Sequence, residues 1–370
     1  MKERVLVAMS GGVDSSVAAA LLLEQGFEPV GVTLHLWDYP DDGTVSGRCC
    51  APEDIHDAKR VCAMLGIPHF AFDRRELFAS EVVRPFVDGY LEGITPSPCV
   101  RCNRGVKMAE LLGLVQRLSA TRVATGHYAR IDRSGSEPRL LRGVDRSKDQ
   151  SYFLHMLTAS ELSRLDFPLG EKSKTEVRRR AVELNLPGAT KGESQELCFV
   201  PTGRYDAFVD ERADGRARRG ALLDESDNVV GHHDGIHRFT IGQRKNLGVS
   251  LGHKAYVSAI DHVSGNVHLG PKEALMASGA ELTEFTTAPG VSLPLTCDVA
   301  VRYRGRGHRA RVERGAEPGT ARIHFESPVS AVVTGQFAVC FDGDRVLGGG
   351  AIVRPTAKDR RHLPVAAARA

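Results

Sequence analysis

The sequence predicts an α/β protein: a parallel sheet in the N-terminal half, followed by a small central domain and a C-terminal antiparallel β-barrel. Three observations support this prediction. Short apolar runs alternate with helical stripes over the first 200 residues, a pattern typical of a parallel sheet covered on both faces. After about Tyr205, glycine and charged residues interrupt the alternation. From about Ala280 onward, strand-like runs joined by turn residues, including an Asp-Gly, predict antiparallel strand pairs.

The N-terminal elements can be placed in order. Residues Arg4 to Met9 form the first strand, and the next helix ends at Gly26, a suitable C-cap. Ser173 and Glu176 form a capping box at the start of a later helix. Between them we predict a strand at 29–37, a helix at 52–67, a strand at 69–73, a helix at 106–118 and a strand at 121–128.

Composition shifts divide the chain into four segments. We predict a catalytic sheet domain at 1–204, a small central domain at 205–276, the barrel at 277–356 and a frayed tail at 357–370.

No stretch approaches the roughly 18 apolar residues that a membrane span needs. Eight cysteines without a secretion signal indicate a reducing compartment. We therefore expect a cytoplasmic protein, most simply a monomer; its net charge of +3 does not by itself indicate nucleic-acid binding.

The stretch AMSGGVDSS, Ala8 to Ser16, connects the first strand to the first helix. Its glycines allow backbone N–H groups to approach an anion, and the helix N-terminus adds the positive end of its dipole. The stretch matches neither a Walker A loop nor the G-x-G-x-x-G of dinucleotide sites. A glycine turn without a ligand is the alternative. The stretch resembles the pyrophosphate-binding loop of the ATP pyrophosphatase family, which implies cleavage of ATP between its α and β phosphates. Asp14 is suited to hold Mg²⁺ there.

Most of the cysteines have ordinary structural explanations. Cys62 lies on an apolar helical stripe, and Cys297 and Cys340 lie in strand-like runs, so we expect all three in the core. Cys49 and Cys50 lie in a loop after the second strand, where an incidental role is favoured over a functional one.

Three further cysteines, Cys99, Cys102 and Cys198, lie in polar, turn-rich segments. These segments, SPCVRCNRGVKMAEL and ESQELCFV, resemble the tRNA-specific 2-thiouridylases, which place sulfur on the wobble uridine of tRNA, U34. The motifs SGGVDSSVAA, ATGHYAR, KDQSYFL, FTIGQR and VRYRG have counterparts in the same order, so the resemblance spans nearly the whole chain. It implies a Rossmann-like, adenine nucleotide alpha hydrolase-like sheet with a pyrophosphate (PP) loop.

The resemblance also implies roles for individual residues. Cys102 corresponds to the nucleophile and Cys198 to the cysteine that carries a persulfide, with Asp14 also catalytic. Nucleotide contacts are expected at Ala8, Met9, Ser10, Gly11, Gly12, Val13, Asp14, Ser15, Leu34 and Gly126. Contacts with tRNA are expected at Ser97, Pro98, Cys99, Lys148, Asp149, Gln150, Arg302 and Tyr303. The implied cofactors and partners are ATP, Mg²⁺, tRNA and an upstream sulfur-donor protein, either a cysteine desulfurase or a sulfur-relay protein.

The chemistry agrees with these roles. Uridine O2 is a poor leaving group until AMP is transferred to it from ATP. A persulfide on Cys198 can then deliver sulfur to C2, and Cys102 can release the product and leave a disulfide. A thiol in this role needs thiolate character, and the nearby cations Arg101, Arg104 and Lys107 are expected to lower the pKa of Cys102.

One departure from the family pattern leaves the cysteine chemistry open. The commonly described thiouridylases have aspartate at the position of Cys99, whereas this chain has C-x-x-C. Together, Cys99, Cys102 and Cys198 could hold a [4Fe–4S] cluster with one open iron. They could also supply three ligands of a zinc site. Alternatively, Cys99 is a spectator or a redox auxiliary beside a persulfide mechanism.

The C-terminal module contains a basic stretch, RYRGRGHRARVERG, with six arginines between Arg302 and Arg314. Alternating arginines on a barrel strand suit a phosphate backbone, and a solvated basic strand pair is the alternative. Two rival functions remain. An amide-forming ATP pyrophosphatase would leave the cysteines and the arginines without a role. A non-catalytic tRNA-binding protein with a zinc site would release no pyrophosphate.

Overall fold

Three sheets organise the chain, which the computed structural model describes at residues 2–38, 52–189, 197–200 and 203–356. The strands are β1 (Arg4–Ala8), β2 (Glu28–His35), β3 (His69–Asp73), β4 (Arg122–Ala124), β5 (Ala129–Asp132), β6 (Arg139–Arg142), β7 (Leu165–Asp166), β8 (Gly220–Leu223), β9 (Val229–His233), β10 (Tyr256–Ile260), β11 (Val267–Gly270), β12 (Met276–Thr287), β13 (Leu295–Ala300), β14 (His308–Arg314), β15 (Ala321–Ser330), β16 (Phe337–Asp342) and β17 (Arg345–Thr356). The helices are α1 (Val13–Glu24), α2 (Pro52–Leu65), α3 (Arg75–Phe78), α4 (Arg84–Leu91), α5 (Pro98–Arg101), α6 (Ala109–Leu114), α7 (Ser151–Leu154), α8 (Ala159–Ser163), α9 (Lys174–Glu183) and α10 (Tyr205–Asp210). Within the described ranges, no helix is long and apolar enough to cross a membrane.

The first sheet is parallel, with strand order β3-β2-β1-β4-β7. In its central strand β1, Val5, Leu6 and Val7 are fully buried. Because successive side chains of a strand point to opposite faces, their burial means that both faces of the sheet are covered. Val5 and Val7 pack with α1, α2 and α9, whereas Leu6 packs with α3, α4 and α6. The predicted α/β class is confirmed.

Local signals fix several helix ends. Gly26 follows the C-cap residue of α1 with a φ of +88°, a conformation that glycine adopts without steric cost. The hydroxyl of Ser173 accepts a hydrogen bond from the Glu176 N–H, and the Glu176 carboxylate accepts one from the Ser173 N–H. The predicted capping box is therefore confirmed. It fixes the start of α9, and Lys174 as its first residue, beside α1.

Two helical runs contain π-helical stretches, Ala79–Val83 between α3 and α4 and Cys102–Met108 between α5 and α6. The sequence predicts only one helix here, at 106–118, whereas the observed run starts at Pro98 and ends at Leu114. Proline suits the first turn of a helix because the N–H that it lacks has no partner there. A π-helical stretch often marks a functional site, and this one begins at Cys102.

Six antiparallel strands close the C-terminal barrel in the order β12-β15-β14-β13-β16-β17, with β12 also pairing with β17. Along β14, Ala310 and Val312 are buried while Arg309 and Arg311 are exposed. This alternation is the one expected for a strand with one face toward a core. The predicted barrel is confirmed.

The cysteines that the sequence assigns to the core are buried. Cys62, Cys297 and Cys340 are each at most 1% exposed. Cys49 and Cys50, like the tail after residue 356, lie outside the described residues. In the part of the chain that the structure describes, no disulfide joins two cysteines.

A hairpin from the first half of the chain extends the barrel's sheet to eight strands. Strands β5 and β6 pair with each other, and Leu141 of β6 lies opposite Arg345 of β17. From the sequence, barrel strands are expected only from residue 277 onward, so this contact is not predicted. Its partner Arg345 lies 204 positions further along the chain (345 − 141), beyond the reach of a local pattern. The hairpin brings residues 143–149 against the barrel.

The central sheet has strand order β10-β11-β8-β9. Its small core contains Leu222, Val257 and Val267. Helix α10 is joined to this unit where Asp210 accepts a hydrogen bond from the buried His237 Nε2 at 2.7 Å. The central unit thus has a core of its own between the parallel sheet and the barrel.

Candidate active site

The PP loop lies at the carboxyl end of β1, where an α/β sheet binds ligands. Gly11 has a φ of +72°, and a Cβ there would lie 2.5 Å from the Asp54 carbonyl oxygen, so glycine is required. The Ser15 and Ser16 hydroxyls donate to the Gly12 carbonyl, each at 3.0 Å. The Ser10 N–H donates to the Ser15 hydroxyl at 3.2 Å. These bonds hold the loop around the N-terminus of α1.

Asp14 is held at the mouth of the loop by two side chains from other elements. The Lys174 ammonium donates to both carboxylate oxygens, at 2.7 and 2.8 Å, and the Tyr128 hydroxyl donates to one of them at 2.8 Å. The Lys174 side chain is only 9% exposed, whereas that of Asp14 is 34% exposed. Gly126 lies directly against the loop, because a Cβ there would be 2.9 Å from the Ser15 nitrogen. A buried cation therefore sits beside the site expected to hold phosphates.

The other expected nucleotide contacts surround this loop. The side chains of Met9, Val13 and Leu34 are buried. A nucleotide could therefore contact their backbone atoms or the apolar surface beside them, but not an exposed side chain. The Met9 N–H donates to the Val32 carbonyl at 2.8 Å, which continues the pairing of β1 with β2. Ala8, the last residue of β1, is partly buried against the core layer that contains Leu6.

The C-x-x-C cysteines lie at the junction of α5 and the π-helical stretch. Cys99 is half-buried, and its carbonyl accepts a hydrogen bond from the Asn103 side-chain amide at 2.9 Å. Ser97 precedes the helix and Pro98 occupies its first position. Cys102 is 5% exposed and packs in the large core layer with Val100 and Val106.

The expectation that neighbouring cations lower the pKa of Cys102 is wrong for this structure. Burial raises the pKa of the Cys102 thiol, and Lys107 opposes that shift only in part. Arg101 instead forms an ion pair with Glu284, and Arg104 contacts the sulfur of Met156. The sequence shows which cations are near in the chain but not that the thiol faces the core, where loss of solvent dominates.

Cys198 packs against the same core layer as Cys102, beside the buried Phe199. Among the described residues, however, no three His, Cys, Asp or Glu side chains lie close enough to hold a metal ion. The described part of the chain thus does not bring Cys99, Cys102 and Cys198 together as a three-ligand set, and the [4Fe–4S] cluster and the zinc site stay predictions. The physical reason is that Cys102 faces the hydrophobic core rather than a shared polar centre.

Four of the expected tRNA contacts line one cleft of about 440 Å³ between the β5–β6 hairpin and the barrel. They are Lys148, Asp149, Arg302 and Tyr303. The Asp149 carboxylate is occupied within its own loop, since it accepts hydrogen bonds from the Gly143 N–H at 3.1 Å and from the Ser151 N–H and hydroxyl, both at 3.0 Å. Asp149 therefore holds the loop that lines the cleft, and its contact with tRNA stays a prediction.

Gln150 and the segment 97–99 are not among the residues that line this cleft. The Gln150 side-chain oxygen accepts a hydrogen bond from the Tyr128 N–H at 2.9 Å. Because the Tyr128 hydroxyl donates to Asp14, Gln150 connects the cleft loop to the PP loop. Four of the eight expected tRNA residues thus line the cleft, and Ser97, Pro98, Cys99 and Gln150 do not.

Family models match the chain in three consecutive parts. One described as tRNA methyl transferase HUP domain matches residues 3–202, one described as tRNA methyl transferase PRC-barrel domain matches 206–271, and one described as Aminomethyltransferase beta-barrel domain matches 279–352. A Sorangium cellulosum protein named tRNA-specific 2-thiouridylase MnmA is 57% identical over 353 residues, covering 94% of this chain and 92% of that protein. The chain belongs to the tRNA-specific 2-thiouridylase family.

Other thiouridylase-family proteins match over similar lengths. The Heliobacterium modesticaldum protein is 44% identical, covering 96% of this chain and 93% of its own. The Geobacter metallireducens protein is also 44% identical, covering 94% and 96%. Both have the printed name tRNA-specific 2-thiouridylase MnmA. The family resemblance stated from the sequence motifs is confirmed.

Some site residues of this thiouridylase-family chain are missed by sequence reasoning. Lys174 is visible in the sequence only as the residue after a helix cap. Its role beside Asp14 depends on the packing of α9 against α1. Two further cations line the cleft, Arg142 and Arg146, beside Arg304 of the arginine-rich stretch already noted in the sequence. Arg304 has a φ of +56°, a strained conformation that tends to occur at functional sites.

Proposed function

We propose that the protein is a tRNA-uridine 2-sulfurtransferase, which uses ATP to convert the wobble uridine U34 of tRNA to 2-thiouridine, with AMP and pyrophosphate as by-products. The observation that carries this proposal is the 57% identity, over 94% of the chain, to a protein named tRNA-specific 2-thiouridylase. The geometry supports it, because one molecule combines a phosphate loop, two cysteines against one core layer and a cleft rich in arginine.

In the first step, uridine O2 attacks the α-phosphorus of ATP and the bond to pyrophosphate breaks. Negative charge then grows on the pyrophosphate, and the PP-loop N–H groups, the N-terminus of α1 and the Lys174 ammonium are placed to stabilise it. The partly exposed Asp14 carboxylate fits Mg²⁺, which needs only one or two carboxylates beside phosphate oxygens and water. Asp14 would hold this ion, which would neutralise part of the phosphate charge.

In the second step, the terminal sulfur of a persulfide on Cys198 attacks C2 and AMP leaves. The Cys102 thiolate then attacks the Cys198 sulfur, the S–S bond breaks toward the base, and thiolated uridine is released. A Cys102–Cys198 disulfide remains, which an external thiol must reduce before the next turnover. A sulfur-donor protein must first load the persulfide. Cys198 packs against the large hydrophobic cluster that contains Cys102, and the proposed transfer requires the two sulfur atoms to come into contact.

The cleft between the hairpin and the barrel suits the tRNA backbone. It is lined by five cationic side chains, Arg142, Arg146, Lys148, Arg302 and Arg304. Arginine and lysine neutralise phosphates without reading base sequence. The Arg142 guanidinium stacks 3.6 Å from the centre of the Phe341 ring, which holds one cation rigidly in the cleft.

The test is an assay with purified protein, ATP, Mg²⁺, a persulfide source and unmodified tRNA transcript. We expect tRNA-dependent pyrophosphate release, and 2-thiouridine by mass spectrometry of the digested tRNA. A transcript with cytidine at position 34 should give neither product, and Asp14→Asn should lose both while tRNA affinity stays unchanged. Pyrophosphate release that needs an amine acceptor instead of tRNA would support the amide-synthetase alternative. No release at all would support a binding protein.

A further inference from the structure

The segment that carries the C-x-x-C cysteines is attached to the barrel just before α5. The Thr95 N–H donates to the Thr334 carbonyl at 3.1 Å. The Gln336 side-chain amide donates to the carbonyls of Thr95 and Pro96, at 3.0 and 3.3 Å. The loop between β15 and β16 therefore holds the residues that lead into α5.

A second attachment lies between the two cysteines. The Arg101 guanidinium donates to one oxygen of Glu284 at 2.8 Å and to the other at 3.5 Å. A two-pronged contact of this kind restricts orientation more than a single hydrogen bond does. Arg101 directly precedes Cys102, so the orientation of one constrains the other. The cysteine turn is thus fixed to the barrel at two points.

The backbone of β12 is shaped around Glu284. This residue has a φ of +50°, a left-handed conformation that is costly for side chains other than glycine. The pairing of β12 with β17 shifts register between Thr283 and Thr286, and such irregularities re-aim side chains. Opposite them lies Gly350, where a Cβ would be 2.6 Å from the Thr283 carbonyl oxygen. The facing strand is therefore fitted to the irregularity that turns Glu284 toward α5.

We propose that Glu284 is a positioning residue for sulfur transfer, acting through Arg101. By fixing the turn that carries Cys99 and Cys102 to the barrel, the Arg101–Glu284 pair sets where the Cys102 sulfur lies relative to RNA held in the neighbouring cleft. This inference rests on the proposed function, because it requires that the barrel both binds tRNA and positions the nucleophile Cys102.

The Arg101–Glu284 pair is exposed to solvent, so an effect of the pair on sulfur transfer can be distinguished from an effect on protein stability. The Arg101 side chain is 47% exposed and that of Glu284 is 38% exposed. Ion pairs this exposed contribute little to the free energy of unfolding, and the strained backbone at Glu284 opposes folding further. Breaking the pair should therefore change sulfur transfer more than it changes stability.

The test compares Glu284→Gln with Glu313→Gln, which removes an exposed barrel carboxylate paired with Arg311 instead. In single turnover, we expect Glu284→Gln to form 2-thiouridine about tenfold to a hundredfold more slowly, as for a misplaced reacting group. Pyrophosphate release, tRNA affinity and melting temperature should match the control. Glu284→Gly relieves the backbone strain, so it should fold at least as stably and still transfer sulfur slowly. The charge swap Arg101→Glu with Glu284→Arg should restore part of the rate.

Equal thiolation rates for Glu284→Gln and Glu313→Gln would overturn the inference. A loss explained by weaker tRNA binding or slower pyrophosphate release would overturn it too. If the wild-type protein forms no 2-thiouridine, the proposed function fails, and iodoacetamide labelling of Cys102 then decides the positioning role. Glu284→Gln must change the labelling rate of Cys102 relative to Glu313→Gln, and equal rates would refute positioning.

Discussion

At the scale of single residues, Cys102 lies in an environment that opposes its proposed chemistry. Its thiol is 5% exposed, and burial raises its pKa above the usual value. The neutral thiol therefore dominates near pH 7 in the protein without RNA. The proposed sulfur transfer therefore requires that Cys102 become more exposed, or gain a cation, when the substrate binds.

We predict that the rate of Cys102 alkylation in the native protein rises with pH and that the inflection lies above the pKa of an ordinary thiol, about 8.5. Lys107→Met should move the inflection higher, because Lys107 lowers this pKa. The same cysteine in urea-unfolded protein is the internal control. The pKa of this thiol is higher in the folded than in the unfolded protein. Its contribution to the free energy of unfolding is therefore fully present below the unfolded pKa and is lost as pH rises through the folded pKa. A native inflection at or below the unfolded one would contradict the assignment.

At the scale of secondary-structure elements, two capping boxes allow a matched comparison. Ser173 caps α9 next to Lys174, and Thr158 caps α8, which carries no proposed site residue. We predict that Ser173→Ala and Thr158→Ala each lower the free energy of unfolding by about 1 kcal/mol. Only Ser173→Ala should also slow pyrophosphate release, because it loosens the first turn of α9, which places Lys174 on Asp14. The explanation fails if both variants release pyrophosphate equally fast.

Element prediction from the sequence succeeds where the signal is local. Gly26 and the Ser173 capping box act within one turn of chain, and both are observed. The π-helical stretch at Cys102 was missed because its pattern of apolar residues differs little from that of an α-helix. The β5–β6 hairpin was missed because its strands have four residues each and their partner β17 is distant in sequence.

At the scale of the whole molecule, the cleft between the β5–β6 hairpin and the barrel is the proposed binding site for tRNA. We predict that replacing Arg302 and Arg304 by glutamine weakens tRNA binding. Each lost phosphate contact should also reduce the slope of log K against log salt by about 0.9 for duplex regions. The charge-matched control replaces Arg311 and Arg322, which pair with Glu313 and Glu281 instead. Similar salt slopes for both double variants would exclude the cleft as the main phosphate contact.

The family resemblance identified more of the candidate site residues than local sequence patterns could. The resemblance paired Lys148 with Arg302, residues 154 positions apart in the sequence, as tRNA contacts, and both line the cleft. Neither motif nor composition indicates Lys174 or the bulge at Glu284, because each depends on how distant elements pack. Predicted pKa shifts fail for the same reason: sequence neighbours of Cys102 are visible, but its burial is not.

The central claim, sulfur transfer from Cys198 to uridine with resolution by Cys102, is tested most directly in one turnover without reductant. Protein loaded with persulfide is mixed with ATP and tRNA, and 2-thiouridine and disulfide-linked peptides are quantified together by mass spectrometry. We predict equal molar amounts of 2-thiouridine and Cys102–Cys198 disulfide, and the same result for Cys99→Asp, because the described residues do not group Cys99 with the other two cysteines as metal ligands. Full thiolation without that disulfide, or a Cys99→Asp protein that loses activity together with bound iron, would contradict the account.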